Sequence, residues 1–290
     1  MAADADLVVV GGGPAGLAVA LAARRRQLSV VVLDRRRPPI DAACGEGLLP
    51  DGVARLGELG VEPPRGAAAP FAGLRFVDGE LAVEGLFPGA PGLGIRRTAL
   101  HAAMVERAAA SGADLRWGVT VTGLAPDGVA TDSGTVRGRL RVGADGRHSA
   151  VRAWAGLDRG RAPRRRFGIR RHVQLEPWSD RVEVHWTDGA EAYVTPVGAE
   201  EVGVALLWDG APSSFDGLLG HFPELAERLA GSPASSRDRG AGPFGVSASA
   251  VTAPGLALVG DATGSLDPIS GEGLSLAFSD DDGEHWTDPV

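Results

Sequence analysis

Six residues, Gly11-Gly12-Gly13-Pro14-Ala15-Gly16, constrain this chain more than any others. They stand between a Val-rich apolar run, Leu7–Val10, and an Ala- and Leu-rich stretch, Pro14–Arg26, whose proline sits where the first turn of a helix tolerates it. A second apolar run, Ser29–Leu33, ends at Asp34, 18 residues beyond Gly16. The order is strand, glycine turn, helix, strand, acid, which is one βαβ unit. In such a unit Gly11 permits the tight turn, Gly13 admits a pyrophosphate to the backbone, and Gly16 lets helix and strand touch. The helix N-terminus offers N–H groups and a positive dipole end to the phosphates. Asp34 accepts ribose hydroxyls and disfavours a 2′-phosphate. In a chain with 43 glycines the glycine pattern alone is weak. Its place between strand and helix, followed by the acid, predicts a dinucleotide site.

The rest of the chain changes texture twice. Ala42–Pro50 is a glycine-rich loop, Val53–Leu59 reads as helix, and Pro63–Pro70 reads as a boundary. Leu74–Phe87 is weakly strand-like, and Thr98–Ala110 is a helix stopped by Gly112. Leu115–Leu124 and Thr135–Val142 read as strands. After the basic linker Arg159–Arg166, Val182, Val184 and Trp186 alternate with polar residues, and Tyr193–Val197 and Val202–Trp208 follow across turns. That alternation predicts antiparallel sheet with one solvated face. Phe215–Leu229 reads as helix and Leu256–Val259 as a last buried strand. A parallel α/β framework therefore opens the chain, yields to antiparallel sheet and returns near the end.

Composition removes several classes of function. All 29 basic residues are arginine, so Schiff-base and P-loop lysine chemistry are excluded. The net charge of −8 has the wrong sign for holding a nucleic-acid backbone by charge alone. One cysteine, Cys44, excludes an internal disulfide. His172, His185 and His221 lie far apart with no ligand spacing, so no metal site is expected. No apolar run reaches the ~18 residues of a membrane span, and the acidic start lacks the basic region of a signal peptide, which makes a cytoplasmic location the expectation.

Two further motifs complete the pattern. Gly143-Ala144-Asp145-Gly146-Arg147-His148-Ser149 again reads strand, turn, helix. Gly260-Asp261-Ala262-Thr263-Gly264 follows the last strand, with Asp267-Pro268-Ile269-Ser270-Gly271-Glu272-Gly273-Leu274 beyond it. A carboxylate at a strand end suits a chain of hydroxyls, and glycine N–H groups suit a ring carbonyl. The three motifs in this order resemble the FAD-dependent monooxygenases of the para-hydroxybenzoate hydroxylase fold and the related geranylgeranyl reductases. The resemblance covers nearly the whole chain to Phe278.

It implies an α/β fold with a Rossmann-like FAD-binding domain, formed by 1–64, 94–160 and 246–290. A substrate domain with an inserted antiparallel sheet would be formed by 65–93 and 161–245. Gly11, Gly13, Pro14, Ala15 and Gly16 would bind the pyrophosphate, Asp34 the adenosine ribose, with Arg35 nearby. Arg97 matches the arginine that reaches the flavin side, and Val121 sits where backbone meets adenine. Asp145 belongs to a motif implicated in both FAD and NAD(P)H binding. Gly260 and Asp261 would meet ribityl or pyrophosphate oxygens, Pro268 the isoalloxazine, and Gly271, Gly273 and Leu274 its pyrimidine edge. Ala43-Cys44-Gly45-Glu46-Gly47 resembles the reductase branch, where the cysteine lies near the flavin. Cys44 is then either a thiol facing the pocket or a small inert buried residue. The implied activity is an NAD(P)H-dependent monooxygenation of a hydrophobic or aromatic small molecule. One alternative is reduction of an isoprenoid double bond; another is a truncated, non-catalytic FAD-binding remnant, the Rab GDP-dissociation inhibitors being non-catalytic proteins that resemble this fold without using FAD.

Other features divide between function and packing. The arginines between Arg159 and Arg171 read as a solvated linker rather than a nicotinamide-phosphate site. Trp178, Trp186 and Trp208 suit either a pocket wall or a core. The last twelve residues, Ser279–Val290, hold five acids and no base and lack any helical period. The resemblance leads one to expect more helix there, so a C-terminal truncation of the family pattern is expected.

Overall fold

A computed structural model describes residues 3–161, 166–211, 213–265 and 273–278 of the chain. β1 (Ala5–Val10), α1 (Pro14–Arg25) and β2 (Val30–Asp34) form the expected unit, with β1 and β2 parallel. Strand Gly134–Gly143 pairs parallel with the other side of β1, Leu256–Leu258 with that strand, and Asp114–Trp117 with β2. Val9 and Val32 face one side of this sheet and pack with Ala20 and Ala23 of α1. Val8 and Val31 face the other side and pack with Val129, Val151 and Leu258. Leu7–Val10 of β1 and Val30–Leu33 of β2 are apolar throughout because both faces are covered there.

A second sheet of seven strands runs in the order Arg239–Ala241, Arg166–Val173, Glu201–Asp209, Ala190–Gly198, Arg181–Thr187, Gly73–Asp78 and Leu81–Leu86. It is antiparallel as the alternation predicts, except where Arg181–Thr187 pairs parallel with Gly73–Asp78. One face carries Val194, Val204, Leu206 and Trp208 against the helices Phe215–Leu219 and Pro223–Leu229. A three-stranded sheet, Gly47–Leu48, Gly92–Ile95 and Ala68–Phe71, lies at the seam with the first half. There Gly94 approaches strand Ala190–Gly198 so closely that a Cβ would stand 1.7 Å from Pro196 O.

Several boundaries differ from the sequence reading for local reasons. Leu115–Leu124 is two strands, because Gly118 takes φ +79 and donates its N–H to Asp34 O at 2.7 Å. That turn sends Val121–Ala125 into an antiparallel pair with Gly128–Thr131. Leu74–Phe87 is a hairpin turned at Gly79, φ +56. Phe215–Leu229 is two helices, since Pro223 can begin a helix but not continue one. The basic linker begins as strand Asp158–Arg161, paired with Val246–Ala248. Pro63–Pro70 gives its end to the strand Ala68–Phe71. Residues 279–290, which carry the truncation argument, lie outside the described residues.

Candidate functional site

The glycine turn is built by contact. Gly11 has φ +112, and a Cβ there would lie 2.2 Å from Ala144 O, so the first motif presses on the second. A Cβ on Gly16 would lie 1.9 Å from Gly11 O. Gly260 of the third motif brings a Cβ position within 2.7 Å of Ala15. Ala144 donates its N–H to Val10 O at 2.7 Å, and Val259 donates to Gly143 O at 2.9 Å. Arg152, buried, ties the second motif to the third by donating from Nη1 to Ala262 O at 2.9 Å and from Nη2 to Arg147 O at 3.0 Å. The three motifs are in direct contact.

Asp34 is buried, and its carboxylate takes the N–H of Gly12 at 2.9 Å and of Arg36 at 2.8 Å. Arg36, not the exposed Arg35, contacts the acid. A carboxylate has about four lone-pair directions, so acceptor capacity is left for a ribose. Asp34→Ala is therefore expected to do two things: weaken FAD binding at least about tenfold and destabilise the cofactor-free protein by about 1–3 kcal/mol. Titration with FAD and melting of the apo form check these separately, and an unchanged apo melt would show that the bonds from Gly12 and Arg36 to Asp34 do not hold the turn.

His101, which the sequence did not mark, lies fully buried beneath the turn. Ile40 donates its N–H to Nδ1 at 3.2 Å, which puts the ring proton on Nε2, and Nε2 donates to Gly12 O at 2.8 Å. Burial holds the ring below the ordinary 6.5. The native protein keeps it neutral while the unfolded chain takes up a proton, so this stability is complete above 6.5 and is lost as pH falls below it. His101→Gln should flatten the fall of melting temperature between about pH 7 and about pH 5. Parallel curves for the two proteins would contradict this.

Arg97 begins the helix Arg97–Ala110 and is buried, with its Nη2 3.9 Å from the position a Cβ would take on Gly13. Its Nη1 is buried and makes no hydrogen bond to a described residue. Burial pulls this guanidinium below its ordinary range, opposed by Cys44 and Glu46. A desolvated cation with an orphaned donor beside an open glycine backbone fits an anionic, hydrogen-bonding group. Asp261 stays exposed, yet the protein crowded round it raises its carboxyl, with Arg147 and then Arg97 pulling down. Arg147 has a buried Nε with no partner among the described residues and stacks its guanidinium 5.0 Å from the centre of Phe244.

The remaining residues divide. Asp145 spends its carboxylate on Ser149 Oγ at 2.5 Å and on the N–H groups of Ala150 at 2.7 Å and Val151 at 3.1 Å, holding the helix Ala150–Trp154. Val121 starts its strand just past Gly118 and Val119, both of which donate to Asp34 O. Gly273 and Leu274 open the helix Gly273–Phe278, and Phe278 is buried with Leu17 and Leu56. Pro268 and Gly271 lie outside the described residues. Cys44 is partly buried, and its Sγ accepts the Glu46 N–H at 3.4 Å. Of the tryptophans, Trp178 and Trp208 pack with the helices on the far face of the second sheet. Trp186 stands edge-on to Phe76, with ring centres 5.9 Å apart. Among the described residues no cluster of three potential metal ligands occurs, and no helix is long and apolar enough to cross a membrane.

Residues 4–201 match the FAD binding domain family, and the chain belongs to that family. It is 31% identical to menaquinone reductase of Mycolicibacterium smegmatis, covering 94% of this chain and 74% of that protein. It is 28% identical to 6-methylpretetramide 4-monooxygenase of Streptomyces rimosus, over 96% of this chain and 73% of the relative. It is also 28% identical to digeranylgeranylglycerophospholipid reductase 1 of Methanopyrus kandleri, over 94% and 77%. In fold it is similar to a flavoprotein/dehydrogenase from Cytophaga hutchinsonii, with TM-score 0.82 and 23% identity over 94% of this chain and 75% of that one. A point mutant of the halogenase PltM in complex with FAD gives TM-score 0.82 at 17% identity, over 94% of this chain and 67% of that one. The chain is an enzyme of the FAD-dependent oxidoreductase type.

Proposed function

We propose that this protein is a flavin-dependent reductase of a carbon–carbon double bond in an isoprenoid lipid, with NAD(P)H as electron donor. The observation that carries this reading is the loop Cys44–Gly47, which the buried Glu46 holds against Arg97 at the glycine turn. The relatives named menaquinone reductase and digeranylgeranylglycerophospholipid reductase support it. FAD, when bound, supplies hydride transfer.

The chain supplies position and a protected proton. Gly11, Gly13, Pro14, Ala15 and Gly16 present the first turn of α1 to the pyrophosphate, Asp34 holds the ribose, and Val121 lies on the adenine side. Arg97, Gly260 and Asp261 would line the approach to the flavin, with Gly273 and Leu274 beyond, and Asp145 would act through the helix Ala150–Trp154 that it holds. Burial, and then the Glu46 charge, hold the Cys44 thiol above its ordinary value, so it presents S–H rather than thiolate. Segments 1–64, 94–160 and 246–290 would form the cofactor domain, and 65–93 and 161–245 the substrate domain. The aromatic pair Phe76 and Trp186 suits an apolar substrate.

A monooxygenase is the second reading, favoured by the relative from Streptomyces rimosus. Turnover with NAD(P)H and a menaquinone under argon separates the two. The reductase gives a product heavier by dihydrogen at the aerobic rate. Product that forms only in oxygen and carries an added oxygen atom would overturn the proposal in favour of the second reading.

A further inference from the structure

The described residues hold a buried polar chain that the cofactor motifs do not include. Glu46 is buried in the left-handed region, φ +60, at the seam between the halves. Its Oε1 accepts the Arg97 N–H at 2.7 Å and lies 3.7 Å from Arg170 Nη2. Its Oε2 lies 2.5 Å from His172 Nε2. His172 Nδ1 stands 3.0 Å from Arg170 Nη1, which can only donate, so the ring proton belongs on Nε2 and points at Glu46. Arg170 is anchored in turn by Asp41 at 2.6 Å. Arg170 and His172 belong to the strand Arg166–Val173 of the second sheet, whereas Arg97 begins a helix of the first half.

The Glu46 oxygens, the His172 nitrogens and both terminal nitrogens of Arg170 are paired, while Arg170 Nε is buried without a partner among the described residues. A charge buried at this seam is costly unless it is paired and hydrogen-bonded, so the chain fixes its members relative to one another. The route runs from the sheet through His172 and Glu46 to the backbone of Arg97, whose guanidinium lies at Gly13.

We infer that His172 and Glu46 act as one positioning pair, which carries the placement of the second sheet to Arg97 and thereby sets FAD affinity. This rests on Arg97 being a cofactor residue, as proposed above. His172→Phe keeps the ring shape and removes both nitrogens, and it is expected to weaken FAD binding about tenfold. His172→Gln restores one donor and one acceptor and is expected to recover most of that loss. Val204→Ala, buried on the opposite face of the same sheet, lowers the melting temperature but leaves the FAD dissociation constant within about twofold.

In an Arg97→Met background, His172→Phe should change FAD affinity by less than about twofold, because the pair acts through Arg97. The same loss in both backgrounds would overturn the inference, as would unchanged affinity in His172→Phe while Arg97→Met binds weakly. If Arg97→Met itself binds FAD normally, the reading of Arg97 is what fails. Should His172→Phe not fold, Glu46→Gln keeps Oε1 for the Arg97 N–H but opposes an N–H to His172. It is expected to show the same tenfold loss, and full affinity there would overturn the inference.

Discussion

Arg97→Met is expected to weaken FAD binding about a hundredfold while leaving the cofactor-free protein at least as stable as its parent. Two charge-assisted hydrogen bonds to the cofactor, each at the low end of about 1.5–3 kcal/mol, account for a loss of that size. The stability side follows from burial. The guanidinium is desolvated and its Nη1 has no hydrogen-bond partner among the described residues, so folding bears a cost that only a ligand relieves. Methionine fills similar volume without that cost. Glu46 keeps its partners, because it takes the backbone N–H of residue 97 and still faces His172 and Arg170. FAD titration and apo melting together test this. A variant that melts far below the parent would show that Arg97 serves the fold.

Gly16→Ala is expected to be severe in the other direction. The new methyl would stand 1.9 Å from Gly11 O, and Gly11 is itself trapped against Ala144 O. Neither carbonyl can move without opening the contact between β1 and Gly134–Gly143. Overpacking of this kind costs about 3 kcal/mol or more, and FAD binding should go with it. Gly57→Ala is the contrast: in the helix Pro50–Glu58 its Cβ meets nothing within 4 Å, so a gain of up to about 1 kcal/mol is expected. Equal melting temperatures for Gly16→Ala and the parent would mean the turn is looser than these contacts require.

The cofactor half was legible because its chemistry is local in sequence. A strand, a glycine turn and a helix lie within β1–α1–β2, and Asp34 ends the unit. The second and third motifs each follow their own strand in the same way. What stayed hidden depends on long-range contact. His101 sits 89 residues from the Gly12 carbonyl it holds, and His172 sits 126 residues from Glu46. Nothing in the spacing of lone histidines announces a partner so distant. The sequence sign of Glu46 is the motif around Cys44, where the cysteine alone suggests chemistry. Strand breaks fall where one glycine with positive φ redirects the chain, as at Gly118, and composition does not show φ. The tryptophans show the limit of alternation. It places Trp186 and Trp208 in strands, but only the pairing of strands decides which face each one joins.

The most direct test of the account is a titration of the purified full chain with FAD, read by visible absorbance and followed by acid precipitation. One FAD should bind per chain and be released by acid, because the site holds it by hydrogen bonds and charge without a covalent link. A chain that remains colourless after added FAD would contradict the site built from Gly11–Gly16, Asp34, Arg97 and Asp261.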